Sequence, residues 1–322
     1  MFTRRATIAA LAGLAVAHSA RAQGFPTRTI TLVVPYPAGG PVDVVARLIA
    51  PGASAELGQT IAVDNRGGGS GIIGSAAVAR AEPDGHTLVL GTNQTHATNQ
   101  SLIKNCPYDA VKDFAPVAGI ADVPHVLVVR RGLEATDVGA LLALGKRKPG
   151  ELTYGSTGNG SASHLAAELF KTRAGVDLLH VPFRGAAPMT TELLAGRIDL
   201  SFATLPSVIG YIDAGVLRAL AVASGKRATR LPNVPTLREA GVAGVEADAW
   251  FALFAPARTP PAVIDRIHQA VARALSQDAA KSALAAQGMT LALRSPAEVA
   301  AWLPGEVAKW ATVIKAANVS VD

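Results

Sequence analysis

The sequence predicts an α/β fold in two lobes, each a sheet flanked by helices. Three features predict it. Strand-like and helical stretches alternate from residue 29 onward, the rhythm restarts near residue 124, and a late apolar strand at 250–257 precedes three helical stretches. That order suits a first lobe built in two visits: the chain makes part of it, crosses to form a second lobe, and returns. Two crossings make a hinge, and a ligand then sits between the lobes. Two tandem units without a return are the alternative that periodicity leaves open. The expected lobes are 23–123 with 246–322, and 124–245.

Element by element, "TITLVVPY" (29–36) is an apolar β-branched run and reads as a buried strand, while "VDVVARLIA" carries Val44, Val45, Leu48 and Ile49 on one helical face. "TIAVDN" (60–65) is the second strand, "IIGSAAVARA" the next helix and "HTLVLGTN" (86–93) the third strand. Strands separated by helices imply parallel sheets. In the second lobe "HVLVVR", "LTYGST", "DLLHVPF", "DLSFAT" and "LRALAVAS" are strands. They alternate with helices expected at 136–148, 161–173, "TTELLAGRI" and "PSVIGYIDAG". After "WFALFAPA" come helices over 261–276, 278–286 and 296–317, the last with Val299, Leu303, Val307, Trp310 and Ile314 on one stripe. Pro51-Gly52 and Pro304-Gly305 predict a kink or break in their helices.

Composition narrows the function. The 322 residues are 49% hydrophobic and 17% charged, ordinary for a globular chain. Net charge is +6, and three of the positive charges (Arg4, Arg5 and Arg21) lie in the first 22 residues. Aromatics are sparse and no long Lys/Arg cluster occurs, which argues against nucleic acid and leaves a mild preference for small anions. "MFTRRATIAALAGLAVAHSARAQG" has a charged start, an apolar stretch and a small-x-small "ARA" at 20–22, the pattern of a signal peptide cleaved after Ala22. Its apolar stretch is too short for a membrane anchor, and Arg4-Arg5 leaves twin-arginine export open beside the general route. The mature protein is therefore expected in the periplasm. Cys106 stands alone, which excludes an internal disulfide and a cysteine-based zinc site.

Four glycine-rich loops follow predicted strands. In "VVPYPAGGPVD", Gly40 suits an N-cap, Pro41 N1 and Asp43 N3, so the amides of Ala38, Gly39 and Gly40 can face an anion. Asp43 is also expected to cap its own helix by taking the Gly40 amide. "NRGGGSGIIG" contains G-x-G-x-x-G at Gly69, Gly71 and Gly74, but the next strand ends Gly91-Thr92-Asn93 without the acid that a ribose needs. No nucleotide cofactor is expected. Thr92 and Asn93 stand where α/β crevices hold ligands. In "YGSTGNGSASH", Ser156, Thr157 and the amides of Gly158 to Ser161 form a second anion site, with helix capping by Ser161 or Ser163 as the alternative. There is no G-x-x-x-x-G-K-[ST], G-x-S-x-G or H-E-x-x-H, and the seven histidines show no metal-ligand spacing. His164, in a predicted first helical turn, reads as structural.

Taken in order, "VVPYPAGGPVD", "LGQTIAVDNRGGGSGIIG", "PDGHTLVLGTN", "YDAVKDFAPVAGI", "LTYGSTGNGSASHLAAELF", "HVPFRGAAP", "GRIDLSF", "LRALAVAS", "LPNVPTLREAG" and "WFALFAPA" span essentially the whole mature chain. Together they resemble the Bug family, the extracytoplasmic receptors of tripartite tricarboxylate transporters. The resemblance implies a type II periplasmic-binding-protein fold that closes over a small organic carboxylate and passes it to the transporter's membrane subunits. It implies no enzyme activity. Carried over, it places Ala38, Gly39 and Gly40 on one side of the ligand and Ser156, Thr157 and Ser161 on the other. Thr92, Asn93, Arg184 and Thr204 become further contacts. Four hydrogen bonds to a charged group, at about 1.5–3 kcal/mol each, suffice for micromolar binding after association costs. The chain is expected to act as a monomer.

Two departures stand out. Pro41-Val42 replaces a usual Gly or Thr/Ser, and Ala203-Thr204 stands where many relatives carry Asp-Asn. Fewer polar side chains suit a larger or more apolar carboxylate, such as an aromatic acid. A sensing receptor of the same fold is the alternative function, and an enzyme acting on carboxylates through Ser156 a third.

Overall fold

A computed structural model describes residues 24–316 and 319; the leader expected at 1–22 lies outside the described residues. The first pass through lobe 1 gives β1 (Ile30–Val34), α1 (Pro41–Leu57), β2 (Ile61–Asn65), α2 (Ile72–Ala79), β3 (Thr87–Thr92), a polar helical stretch ending in α3 (Asn99–Leu102), and β4 (Phe114–Val123). Pro124 then carries the chain into lobe 2: β5 (His125–Arg130), α4 (Val138–Arg147), β6 (Thr153–Ser156), α5 (Ala162–Ala174), β7 (Leu179–Pro182), α6 (Ala186–Leu194), β8 (Leu200–Thr204), α7 (Leu205–Asp213) and β9 (Leu217–Val222). The chain returns with β10 (Ala249–Pro256), α8 (Pro261–Ser276), α9 (Asp278–Ala286), β11 (Thr290–Leu291) and α10 (Pro296–Ala316). Two mixed sheets result, ordered β11-β4-β10-β3-β1-β2 and β7-β6-β8-β5-β9.

The sheets are not purely parallel, contrary to expectation. β1 runs parallel to β2 and β3, and β6 parallel to β7 and β8, but β10 is antiparallel to β3 and β4, and β5 antiparallel to β8 and β9. The cause is the crossing itself. Strands made within a lobe point their C-terminal ends at the cleft, whereas β5 and β10 arrive from the other lobe and enter at the cleft end. β10 is buried along its whole length, as befits a strand flanked on both sides and covered on both faces.

Several local expectations change. Neither Pro51 nor Pro304 breaks its helix. At the first, α1 packs so closely on α8 that a Cβ on Gly52 would lie 2.8 Å from the Ala274 Cβ, so tertiary contact holds the helix through its proline. Val44 turns outward, 39% exposed, while Val42, Val45 and Ile49 face the core. α6 begins at Ala186, directly after Gly185 at its N-cap, and ends at Leu194 because Gly196 adopts φ 71°. β4 and the helical stretch over 94–102 were not expected at all.

Gly52→Val should lower unfolding stability by about 1–3 kcal/mol, through overpacking at the α1–α8 contact. Urea denaturation measures this, and an unchanged midpoint contradicts the packing account.

Candidate functional site

The C-terminal ends of β1 and β3 in one lobe, and of β6, β7 and β8 in the other, open onto a shared cavity of about 130 Å³. An engineered cavity of about 150 Å³ holds a benzene, so the space fits a small organic molecule. Of the sequence-predicted residues, Ala38, Gly40, Thr92, Asn93, Thr157, Ser161, Arg184 and Thr204 line it, while Gly39, Asp43 and Ser156 do not. Tyr36, Gln94, His125 and Phe251 line it without having been singled out.

Asp43 explains its own absence. Its carboxylate is 3% exposed and accepts from the Gly39 amide (2.9 Å), Arg47 Nε (2.9 Å) and Asn65 Nδ2 (3.0 Å). The amide it takes is thus that of Gly39, one residue earlier than expected, because Gly39 adopts φ 83° and turns its N–H back toward the helix. Burial pushes the Asp43 carboxyl up, but the hydrogen bonds from Arg47, Gly39 and Asn65 outweigh it and hold the group below the usual carboxylate range. The loop is fixed from behind by a compensated charge. The amides of Ala38, Gly40, Val42 and Asp43 have no acceptor among the described residues. Beside them the Tyr36 hydroxyl bonds Thr92 Oγ1 (2.9 Å) and Gln94 Oε1 (3.1 Å), and burial raises its pKa so that it stays a neutral phenol. Asn93 Nδ2 is a buried donor with no partner among the described residues.

Lobe 2 repeats the device. Ser161 is the N-cap of α5, its Oγ accepting from the His164 amide at 3.3 Å, which settles the capping alternative in its favour. Ser163 Oγ accepts from the Thr157 amide (2.9 Å), and the Gly160 amide donates to His164 Nδ1 (2.9 Å). Ser156 is fully buried and its Oγ bonds His180 Nε2 (2.7 Å) and Gly158 O (3.1 Å). It staples the loop from beneath. His180 stacks on His164 at 3.9 Å, and burial lowers both rings to a pKa of about 4. Of the amides expected to face an anion here, those of Gly158 (to Ser156 Oγ, 3.2 Å), Gly160 and Ser161 (to Gly158 O, 3.1 Å) are spent within the loop. The amides without an acceptor among the described residues are instead those of Ala162 and Ser163, at the first turn of α5.

Two helix N-termini, one per lobe, therefore present unengaged N–H groups to one cavity. Arg184 adds a positive charge, and among the described residues no Asp or Glu lines the space. Pro41, Val42, Ala186 to Pro188, Ala249 and Phe251 supply apolar wall. Such a site holds an anion with a small apolar body. Among the described residues no group of three His, Cys, Asp or Glu is placed to hold a metal, and no helix is long and apolar enough to cross a membrane.

Lobes joined by two crossings, with an anion cradle between them, define a two-lobed solute-binding protein. Comparison with known proteins carries this to a family. The tripartite tricarboxylate transporter family receptor description matches residues 45–319. BugT of Bordetella pertussis is 37% identical over 95% of this chain and 94% of its own length. An R. palustris protein solved with adipate is 40% identical, covers 92% of this chain and 99% of its own, and superposes with a TM-score of 0.88. MatC of Rhodopseudomonas palustris, solved with malate, is 34% identical over 90% of this chain and 100% of its own, at 0.85. The chain belongs to the tripartite tricarboxylate transporter family of receptors. It is a solute-binding receptor and not an enzyme.

Proposed function

We propose that this receptor captures a small organic carboxylate between its lobes in the periplasm and delivers it to the membrane subunits of a tripartite tricarboxylate transporter. The observation that carries the reading is the pair of opposed helix N-termini, α1 and α5, with unengaged amides around one cavity that, among the described residues, Arg184 lines and no acid does. The adipate and malate found in relatives fit the same chemistry. Ala38, Gly40, Thr92, Asn93, Thr157, Ser161, Arg184 and Thr204 contact the solute, while Gly39, Asp43 and Ser156 hold the loops that do so. The lobes divide at 123/124 and 245/246, the receptor works as a monomer, and residues 1–22 export it.

Pro41 has no amide, and Val42, packed in the same core as Phe251, adds only apolar lining to the cavity. A hydroxyl beside the bound carboxylate meets no partner there, at a cost of about 1–3 kcal/mol. Unhydroxylated acids, adipate or benzoate, are therefore preferred over malate and citrate. Thermal shift against these four tests both levels. At a hundredfold excess over Kd a bound acid adds about 2.7 kcal/mol, a rise of several degrees in Tm. No shift with any of them overturns the carboxylate reading, and a preference for citrate or malate overturns only the finer one.

A further inference from the structure

His125 stands where cavity and hinge meet. It opens β5, directly after Pro124 of the first crossing, and its ring is 1% exposed. Nδ1 lies 2.8 Å from the carbonyl of Ala247, in the second crossing. A carbonyl only accepts, so Nδ1 carries the proton and the neutral ring keeps its lone pair on Nε2. Nε2 has no partner among the described residues, and the ring lines the cavity beside Asn93 and Thr204.

Among the described residues no counter-charge is paired with this ring. From the end of β1 comes Tyr36, a buried neutral phenol, and from the β7–α6 loop Arg184, a cation. Asp122 on β4 is bound by Arg294, and Asp248, next to Ala247, is bonded to Ser224. Burial therefore keeps the imidazole neutral, lowering its pKa to about 4 despite the Ala247 hydrogen bond. A carboxylate in the cavity supplies the missing negative charge, and an opposite charge within about 4–6 Å raises a histidine by one to three units.

We propose that solute capture is proton-linked through His125: as the carboxylate enters, a proton from solvent binds Nε2, and it leaves again when the solute does. The inference rests on the carboxylate reading of the cleft. In the bound state Nε2–H donates toward the solute while Nδ1–H holds Ala247, so one cationic ring ties the ligand to both crossings. His125 thereby makes the receptor's affinity rise in mildly acid surroundings.

The test is calorimetry at pH 5.5 in buffers of different ionisation enthalpy, using whichever of adipate, benzoate, malate or citrate stabilises the protein most. The wild type should take up more protons per solute bound than His125→Asn, which keeps a donor but cannot titrate. For a two-unit rise, its Kd should tighten by about fourfold more than the variant's between pH 7.5 and 5.5. Nitrogen chemical shifts of the wild-type histidines, with and without saturating acid, give a reading that needs no variant: the His125 ring must become imidazolium at pH 5.5. Equal proton uptake in the two proteins, or a ring that stays neutral when saturated, overturns the proposal. Failure of all four acids to bind defeats the carboxylate reading instead.

Discussion

Unfolding free energy should fall steeply as pH drops from about 6.5 to about 4. Four histidines sit neutral inside the fold: burial lowers His96 to about 3 and His125, His164 and His180 to about 4. In the unfolded chain each titrates near 6.5, so within that window the unfolded state binds protons that the folded state refuses. The stabilisation is complete above the unfolded pKa and is lost as pH falls toward the folded ones. At about 1.4 kcal/mol per unit, the four rings set an upper bound of about 15 kcal/mol. His180, which is part-exposed, contributes least, and several kcal/mol is the expected loss. Asp248 works in the other direction. Burial raises it to about 6, so protonation relieves its cost below that pH and offsets part of one ring. Asp43, held below its usual range, adds a further loss only below about pH 4, beyond this window. His96 has the least freedom to respond, because it stacks on Phe254 at 4.1 Å and its Nε2 is buried without a partner. Denaturant titrations between pH 7.5 and 4.5 measure the slope, and a stability that is flat or rises toward acid refutes this account.

What the sequence disclosed follows from how each feature is encoded. Strands such as "HVLVVR" and "WFALFAPA" and helices such as 261–276 were legible because a single run or stripe of apolar residues specifies them. The stretch "NQTHATNQSL" hid its helical turns, because its buried residues are polar: Gln94, Thr95, His96, Thr98 and Asn99 bury hydrogen-bonding groups that no hydropathy pattern marks. β4 was obscured by Pro116 and Gly119, both unpromising in a strand; Gly119 is needed because a Cβ there would press on Arg294 and the Ala292 carbonyl. Strand direction was misjudged because crossing between lobes leaves no mark on periodicity. At the site, glycine loops announced the two helix starts. Tyr36, His125 and Phe251 gave no such notice, since each is an ordinary strand-end residue until three distant segments are brought together. Tyr36 lies within "VVPYPAGGPVD", where the neighbouring glycines carry the legible signal.

Gly160→Val should abolish most solute binding while leaving a folded protein. Gly160 belongs to the lobe 2 loop that leads into α5, and it is one of the places where the lobes touch: Thr98 Oγ1, from lobe 1, donates to the Gly160 carbonyl at 3.2 Å. A Cβ on Gly160 would overlap the side chain of Leu102, also of lobe 1, so a larger residue fits only if Leu102 or its lobe shifts. The residue also adopts φ 69°, which a β-branched side chain tolerates poorly. The backbone strain costs about 1–2 kcal/mol in every state. The clash differs, because swinging the lobes apart relieves it. A side chain at 160 therefore acts as a wedge against the arrangement that brings the α1 and α5 termini around one cavity. Loss of one helix terminus and its hydrogen bonds, at about 1.5–3 kcal/mol each, predicts affinity weaker by at least tenfold to a hundredfold. Calorimetry with the acid that stabilises the wild type gives the affinity, and small-angle scattering should show a larger radius of gyration for the variant. Gly175→Val is the control, since that glycine has φ 62° but nothing within 4 Å of its Cβ position. It should lose comparable stability without losing solute. Equal binding by Gly160→Val and the wild type, or equal loss by both variants, would show that contact at Gly160 does not govern capture.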